Sequence, residues 1–207
     1  MSDPSKKVRC RECKKGYYAV AGGKTACPYC YKASLIPAGT IVILQLKIIA
    51  GGYEDEALSL EGGLGTKAKS GAIYLRCKAE VISGKHRKKT FSLPIGLSGN
   101  KGDFWQNRGR EIIRGILNSS QGLSSSDNSR KAVYGRILSS YAELDKICFV
   151  AVVDIHKNQL GTEENIITKF FSGEDEEYKE LILNEKFSPA QKFPPPSVSG
   201  AAMWRKS

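Results

Sequence analysis

Four cysteines constrain this chain more than any other feature. Cys10, Cys13, Cys27 and Cys30 follow the pattern C-x2-C-x13-C-x2-C. Each Cys-x-x-Cys pair fits a tight turn that points two sulfurs at one ion. Two such turns together make a four-thiolate site suited to zinc. The alternatives are an iron–sulfur centre or two redox pairs. A redox pair of the thioredoxin kind needs a βαβ setting, and residues 1–36 are too few for one. A closed four-thiolate site has no open coordination position, so one structural zinc that supports folding is expected.

The compartment implied by the rest of the sequence agrees. Met1-Ser2-Asp3-Pro4-Ser5-Lys6-Lys7 lacks an apolar signal-peptide core. No apolar run approaches 18 residues, so no membrane span is expected. The expected location is cytoplasmic and reducing, where structural disulfides are rare. The spacer Lys14 to Ala26 holds Tyr17, Tyr18, Val20 and the turn Gly22-Gly23. It predicts a short hairpin between two metal knuckles, so residues 1–36 read as a zinc ribbon. Lys6, Lys7, Arg9, Arg11, Lys14, Lys15, Lys24 and Lys32 surround it, with Tyr29 and Tyr31 among them. That surface suits either nucleic-acid contact or protein docking.

The second organising stretch is residues 73–81. Ile73, Leu75, Cys77, Ala79 and Val81 alternate with Tyr74, Arg76, Lys78 and Glu80. This is period-two patterning with one apolar and one polar face. A turn, Lys85-His86-Arg87-Lys88-Lys89, leads to a return strand from Lys88 to Ile95, with Phe91 expected on its core side. An aromatic ring beside several cations is what a single-strand binding face needs, the ring for bases and the cations for phosphates. An ordinary solvated sheet face with a charged hairpin has the same pattern.

The remaining elements follow in order. Pro37-Ala38-Gly39 marks a boundary, and Thr40–Ile49 is a strand by its β-branched content. Residues 50–71 read as a long Gly-rich connection, either a flap over a bound strand or disorder. Asp103 should cap a helix over Phe104 to Asn118, with Phe104, Ile112, Ile113, Ile116 and Leu117 buried and Trp105, Arg108, Arg110 and Arg114 in the opposite sector. A second helix is expected from Asp127 or Ser129 to Leu144, carrying Tyr134, Ile137, Leu138 and Tyr141 as a core stripe. Ile147–Ile155 reads as a central strand, Asn165–Phe171 as its partner, and Glu174–Asn184 as an acidic helix docked through Tyr178, Leu181 and Ile182. From Ser188 to Ser207 the sequence is Pro-rich and reads as a disordered tail. Cys77 and Cys148 read as small buried hydrophobes.

Charge narrows the function. The net charge is +11. Residues 1–36 hold eight cations against two acids, and residues 72–114 hold ten against three. Such clustering is the footprint of a polyanion binder. No catalytic signature is present, and only His86 and His156 are available as histidines. A metal nuclease could be built from Asp154, His156, Glu163 and Glu164, but a hairpin end rich in such residues is commonly just solvated, and catalysis is not expected.

After residue 37 the expected order is strand, long loop, strand, basic hairpin, strand, helices, strand, turn, strand. That is the order of an OB-fold, a mainly β fold with helix between the third and fourth strands of a five-stranded barrel. The expected organisation is a zinc ribbon over 1–36, an OB-fold-like nucleic-acid-binding domain over 37–187 and a tail over 188–207. Over residues 38–172 the chain also resembles bacteriophage single-stranded DNA-binding proteins. The resemblance rests on Gly71-Ala72-Ile73-Tyr74-Leu75-Arg76-Cys77-Lys78, Phe104-Trp105-Gln106-Asn107-Arg108-Gly109-Arg110 and Val150-Ala151-Val152-Val153-Asp154. It implies sequence-tolerant binding of single-stranded DNA, or RNA, during phage DNA replication or recombination in a bacterial host cytoplasm, alongside replication or recombination proteins. The expected contacts are Tyr74 and Trp105 for bases, with Arg76, Lys78, Lys85, Arg87, Lys88, Lys89 and Arg108 for phosphates. The alternative is an adaptor that recruits replication or transcription proteins without catalysis.

Overall fold

The computed structural model describes residues 6–19, 27–99, 102–158 and 160–185. The Pro-rich tail and the Gly22-Gly23 turn lie outside the described residues. Strands β1 (Lys6–Arg9) and β2 (Gly16–Ala19) pair antiparallel. Helix α1 (Pro28–Ser34) follows, with Cys27 at its N-cap. Pro28 fits the first turn because its fixed φ is already helical and its missing N–H is not needed there. Seven residues are too few to hold a helix alone, so α1 depends on what its side chains grip.

Strand β3 (Thr40–Ile48) begins the main body. Two strands then occupy the stretch expected to be a loop, β4 (Tyr53–Asp55) and β5 (Leu60–Lys67), joined by a 3-10 turn over Glu56–Leu58. Alternation cannot be read where residues carry no side chain, and β5 contains Gly62, Gly63 and Gly65. The glycines serve close approach: a Cβ on Gly51 would lie 2.0 Å from Thr66 Oγ1 and 2.4 Å from the Gly65 carbonyl. Neither a flap nor disorder describes this segment.

Residues 73–81 form β6 (Ile73–Leu75) and β7 (Cys77–Val81), broken only at Arg76. The return strand is likewise split, into β8 (Thr90–Ser92) and β9 (Ile95–Ser98). Pro94 stands at that break, where a residue without an N–H ends the ladder. Helix α2 (Phe104–Gln121) and a short α3 (Arg130–Gly135) precede the long antiparallel pair β10 (Cys148–Lys157) and β11 (Glu163–Phe170), and α4 (Glu176–Glu185) comes last.

The sheet order is β11-β10-β3-β7-β8 in one sheet and β4-β5-β6-β9 in the other. The strand pairs β6–β7 and β8–β9 pass from one sheet to the other. The five-stranded sheet curls until Cα atoms of its two edges, β8 and β11, come within 8 Å. No ladder joins them among the described residues. The result is a mixed α+β fold, mostly sheet, built on a five-stranded half-barrel. Its core gathers Leu44, Leu46, Leu75, Ala79, Val81, Ile95, Ile116, Leu144 and Phe149, all essentially buried. On the other face of β3 and β10, Ile43 and Val150 pack with Phe171 and with Tyr178 of α4. This is why β10 is apolar on both faces.

Two helix expectations need correction. Asp103 occupies the N-cap of α2, but its side chain makes no capping hydrogen bond. Phe104, expected in the core, is 81% exposed. The reason is that Gly109, not Phe104, sets the buried stripe: its Cβ position lies 1.8 Å from the Gly96 carbonyl, so α2 rests directly on β9. The second long helix is also absent. After α3 the chain turns at Arg136, and a separate 3-10 turn over Tyr141–Leu144 is started by a Ser140–Glu143 capping box. Leu138 and Tyr141 are buried as expected, whereas Tyr134 is 52% exposed.

Candidate metal centre and nucleic-acid interface

The four cysteines converge. Cys10 follows β1 and Cys13 lies in the turn before β2, while Cys27 and Cys30 sit at the start of α1. The hairpin strands therefore flank the first cysteine pair, rather than lying between the two pairs as expected. The turn is held by the Cys10 N–H donating to the Lys15 carbonyl at 2.9 Å and the Lys14 N–H donating to the Cys10 carbonyl at 3.1 Å. Lys14 takes a left-handed φ of 61°.

The Sγ atoms of Cys10 and Cys30 are 3.6 Å apart, as are those of Cys13 and Cys27, and all four lie within 4.8 Å of one another. A tetrahedral ion with Zn–S bonds near 2.3 Å requires S···S separations of about 3.8 Å. The donor set therefore fits, and these four residues can hold a metal ion such as zinc. The Cys13 backbone N–H pulls the Cys10 thiol down to about 7, while its thiol neighbours, Cys10 first, push Cys30 up. A cation among them would favour all four thiolates. By contrast, burial pushes the Cys77 thiol up to about 12 and raises that of Cys148 as well, which suits inert packing groups.

Helix α1 is also the joint between the cysteine module and the half-barrel. Tyr31 donates its hydroxyl to the Glu163 carbonyl, and Lys32 lies 3.9 Å from the Glu163 carboxylate. Ile36, 1% exposed, belongs to the main core. Its N–H donates to Asn165 Oδ1 at 2.8 Å, and Asn165 Nδ2 donates to the Ile36 carbonyl at 2.8 Å and to the Asp154 carbonyl at 3.2 Å. From the other edge, Lys89 Nζ donates to the carbonyls of Ala33 (2.9 Å) and Leu35 (2.8 Å). The module thus grips the start of β11 and the residue before β8, the two edges of the barrel's unladdered seam.

The expected phosphate contacts fall into separate settings. Lys78 is exposed on β7, opposite Lys47 of β3 on one side and Ser92 of β8 on the other. Lys47 is also exposed, and neither lysine makes an ion pair among the described residues. Like charges directly opposite across a ladder destabilise a sheet. Sequence reasoning leaves Lys47 out of the interface. Its signal is its place on the polar face of β3, but only the register shows that it meets Lys78.

Arg76 is exposed at the β6–β7 break and donates to the Ala50 carbonyl at 3.1 Å. Lys85, Arg87 and Lys88 are exposed on the turn, whereas Lys89 is occupied by α1. His86 has an enclosed Nε2 without a partner, and burial, then Lys89 and Lys85, hold its pKa below the ordinary value. Tyr74 is half-buried, opposite Gly96 across the strands. A Cβ on Gly96 would meet Trp105 Cδ1 and Cδ2 at 2.8 Å. Trp105 is therefore seated on β9, with its Nε1 enclosed. Arg108 is turned to Glu111 at 3.1 Å. Just before α4 Asp175 pairs with Lys169, and within it Glu176 pairs with Lys179.

On the β10–β11 ladder His156 faces Glu164 and Asp154 lies two residues along, so these nuclease candidates share one face of the hairpin without closing into a metal-binding group. Among the described residues, the four cysteines are the one group of three or more such side chains gathered closely enough for an ion. No helix among the described residues is long and apolar enough to cross a membrane. In comparisons with known proteins, the chain matches no family model, no curated protein and no solved structure.

Proposed function

We propose that this chain binds single-stranded DNA with little sequence preference, on an OB-type barrel stabilised by a structural zinc ribbon. The strand order supports the barrel reading. With β3, β6–β7, β8–β9, β10 and β11 as five strands, neighbours run first–second–third and fifth–fourth–first, and α2 falls between third and fourth. The closed four-thiolate donor set supports zinc in a structural role.

The observation that carries the reading is the Lys47–Lys78 pair on the outer face of β3 and β7. Two exposed ammonium groups are kept opposite each other, and among the described residues neither forms an ion pair, although Glu80 lies on the same face. A phosphate backbone crossing the strands neutralises both. Arg76 and Tyr74 continue the same polar edge toward Trp105, and exposed Lys85, Arg87 and Lys88 extend it beyond β7. The face presents exposed cations beside a half-buried ring, which suits binding indifferent to sequence. With the resemblance described above, this supports a role in covering exposed strands during phage DNA replication or recombination.

The test is fluorescence anisotropy of labelled single-stranded DNA, duplex DNA and single-stranded RNA at low and high salt. The proposal expects the single strand to bind well above the duplex, with affinity falling steeply as salt rises. Equal, weak and salt-erased binding to all three would instead favour the adaptor reading.

A further inference from the structure

The cysteine module has two sides. The side carrying Tyr31, Lys32 and Ile36 is committed to the barrel. The knuckle between β1 and β2 carries Arg9, Arg11, Lys14 and Lys15, all exposed, within seven positions. Glu12 is the one carboxylate among them, and no ion pair joins it to any of the four. Arg9 Nε donates to the Lys14 carbonyl at 2.9 Å, which holds that arm across the turn. Lys15 Nζ stands 5.0 Å from the centre of the Tyr29 ring, and Tyr29 is 47% exposed. Cations around an accessible ring repeat, on a second element, the chemistry of the barrel face.

The two patches are tied together. Lys89 fixes the basic turn to the C-terminal end of α1, while Cys27, Tyr29 and Cys30 lie toward the other end, beside the knuckle. At 1.5 Å per residue the helix spans about 10 Å. The exposed cations of the β3–β7 face, of the hairpin turn and of the knuckle therefore lie on elements joined in series, the turn and the knuckle meeting opposite ends of α1.

We infer that the knuckle is part of the nucleic-acid footprint: a single strand leaving the barrel face crosses the basic turn and lays its phosphates on Arg9, Arg11, Lys14 and Lys15, with Tyr29 available to a base. This rests on the barrel binding a single strand as proposed above. The cysteine module is then a second contact on the same strand, and not only a support.

The test is lysine acetylation footprinting of the unaltered protein with and without an oligothymidylate, read by mass spectrometry. Protection of Lys14 and Lys15 together with Lys78 is expected. Protection of Lys78 with Lys14 and Lys15 unprotected overturns the inference and leaves the barrel reading standing. No protection at Lys78 in a complex that forms overturns the barrel reading itself. In parallel, the Arg9→Gln, Arg11→Gln, Lys14→Gln, Lys15→Gln variant, checked for retained zinc, should bind with a shallower salt dependence. Each phosphate left without its cation lowers the log–log slope by about 0.7. An unchanged slope with zinc retained assigns the knuckle to protein docking and overturns the inference.

Discussion

Asn165 is the residue on which the join between the cysteine module and the half-barrel turns, and Asn165→Ala tests that join. Its side chain accepts from the Ile36 N–H and donates to the Ile36 carbonyl, both at 2.8 Å, at a position where Ile36 is 1% exposed. Alanine strands both backbone groups away from water. An unsatisfied buried donor or acceptor costs ~1–3 kcal/mol, so the pair should cost about 2–5 kcal/mol. At about 2–4 °C per kcal/mol for a chain of this size, Tm should fall by about 4–20 °C. Urea unfolding followed by tyrosine and tryptophan fluorescence should show the loss as a lower midpoint at unchanged slope. Asn165→Asp keeps the acceptor for the Ile36 N–H but sets a carboxylate against the carbonyls of Ile36 and Asp154, so it should be at least as damaging. A change below about 0.5 kcal/mol in the alanine variant would refute the claim that these hydrogen bonds hold the module to the core.

Three other outcomes follow from the same geometry. Gly109→Ala gains helix propensity of ~1 kcal/mol, yet its Cβ would lie 1.8 Å from the Gly96 carbonyl. Overpacking against backbone should win, with net destabilisation of about 1–3 kcal/mol by thermal melt; a stabilised variant would contradict the close seating of α2 on β9. Acid should loosen α4. Hydroxyls of Ser124 and Ser125 hold Glu174 below the ordinary carboxylate value, while at Asp175 burial pushes up but is outweighed by Lys169 and Ser172. Folded-state values below the unfolded ones mean this stabilisation is complete at neutral pH and is lost as pH falls through and below about 4; amide exchange in α4 should rise there, and a flat profile would count against it. If the four cysteines hold an ion, its chelation should speed amide exchange in α1 and at the start of β11 through Tyr31, Lys32 and Asn165; exchange that quickens only in β1 and β2 would sever that link.

Much of this fold is legible in the sequence, for physical reasons that differ by element. The four cysteines report their convergence because thiolate ligands need fixed spacing. Residues 73–81 report their faces because each carries a side chain on an alternating position, and burial follows that pattern at every apolar residue from Ile73 to Val81. Strand β5 is illegible because Gly62, Gly63 and Gly65 carry no pattern. Phe104 misleads because apolar character points to a buried helix face, when the surface that packs is Gly109 against Gly96. At Lys89 the signal is missing altogether: nothing in a run of cations reveals that one ammonium closes onto the carbonyls of Ala33 and Leu35. Lys47 escapes notice because its meaning lies in register, which only the folded ladder supplies.

The Lys47→Gln, Lys78→Gln double variant tests most directly the proposal that the β3–β7 face holds a polyanion. Relieving like charges across the ladder should raise stability slightly, by about 0.2–1 kcal/mol. The same change should weaken single-strand binding and flatten its salt dependence by about 1.4, at ~0.7 for each of the two phosphates no longer neutralised. Measured together by thermal melt and anisotropy titration, stability up with affinity and slope down is the predicted result. Stability up with binding and slope unchanged would mean the face is only solvated, and would contradict the account.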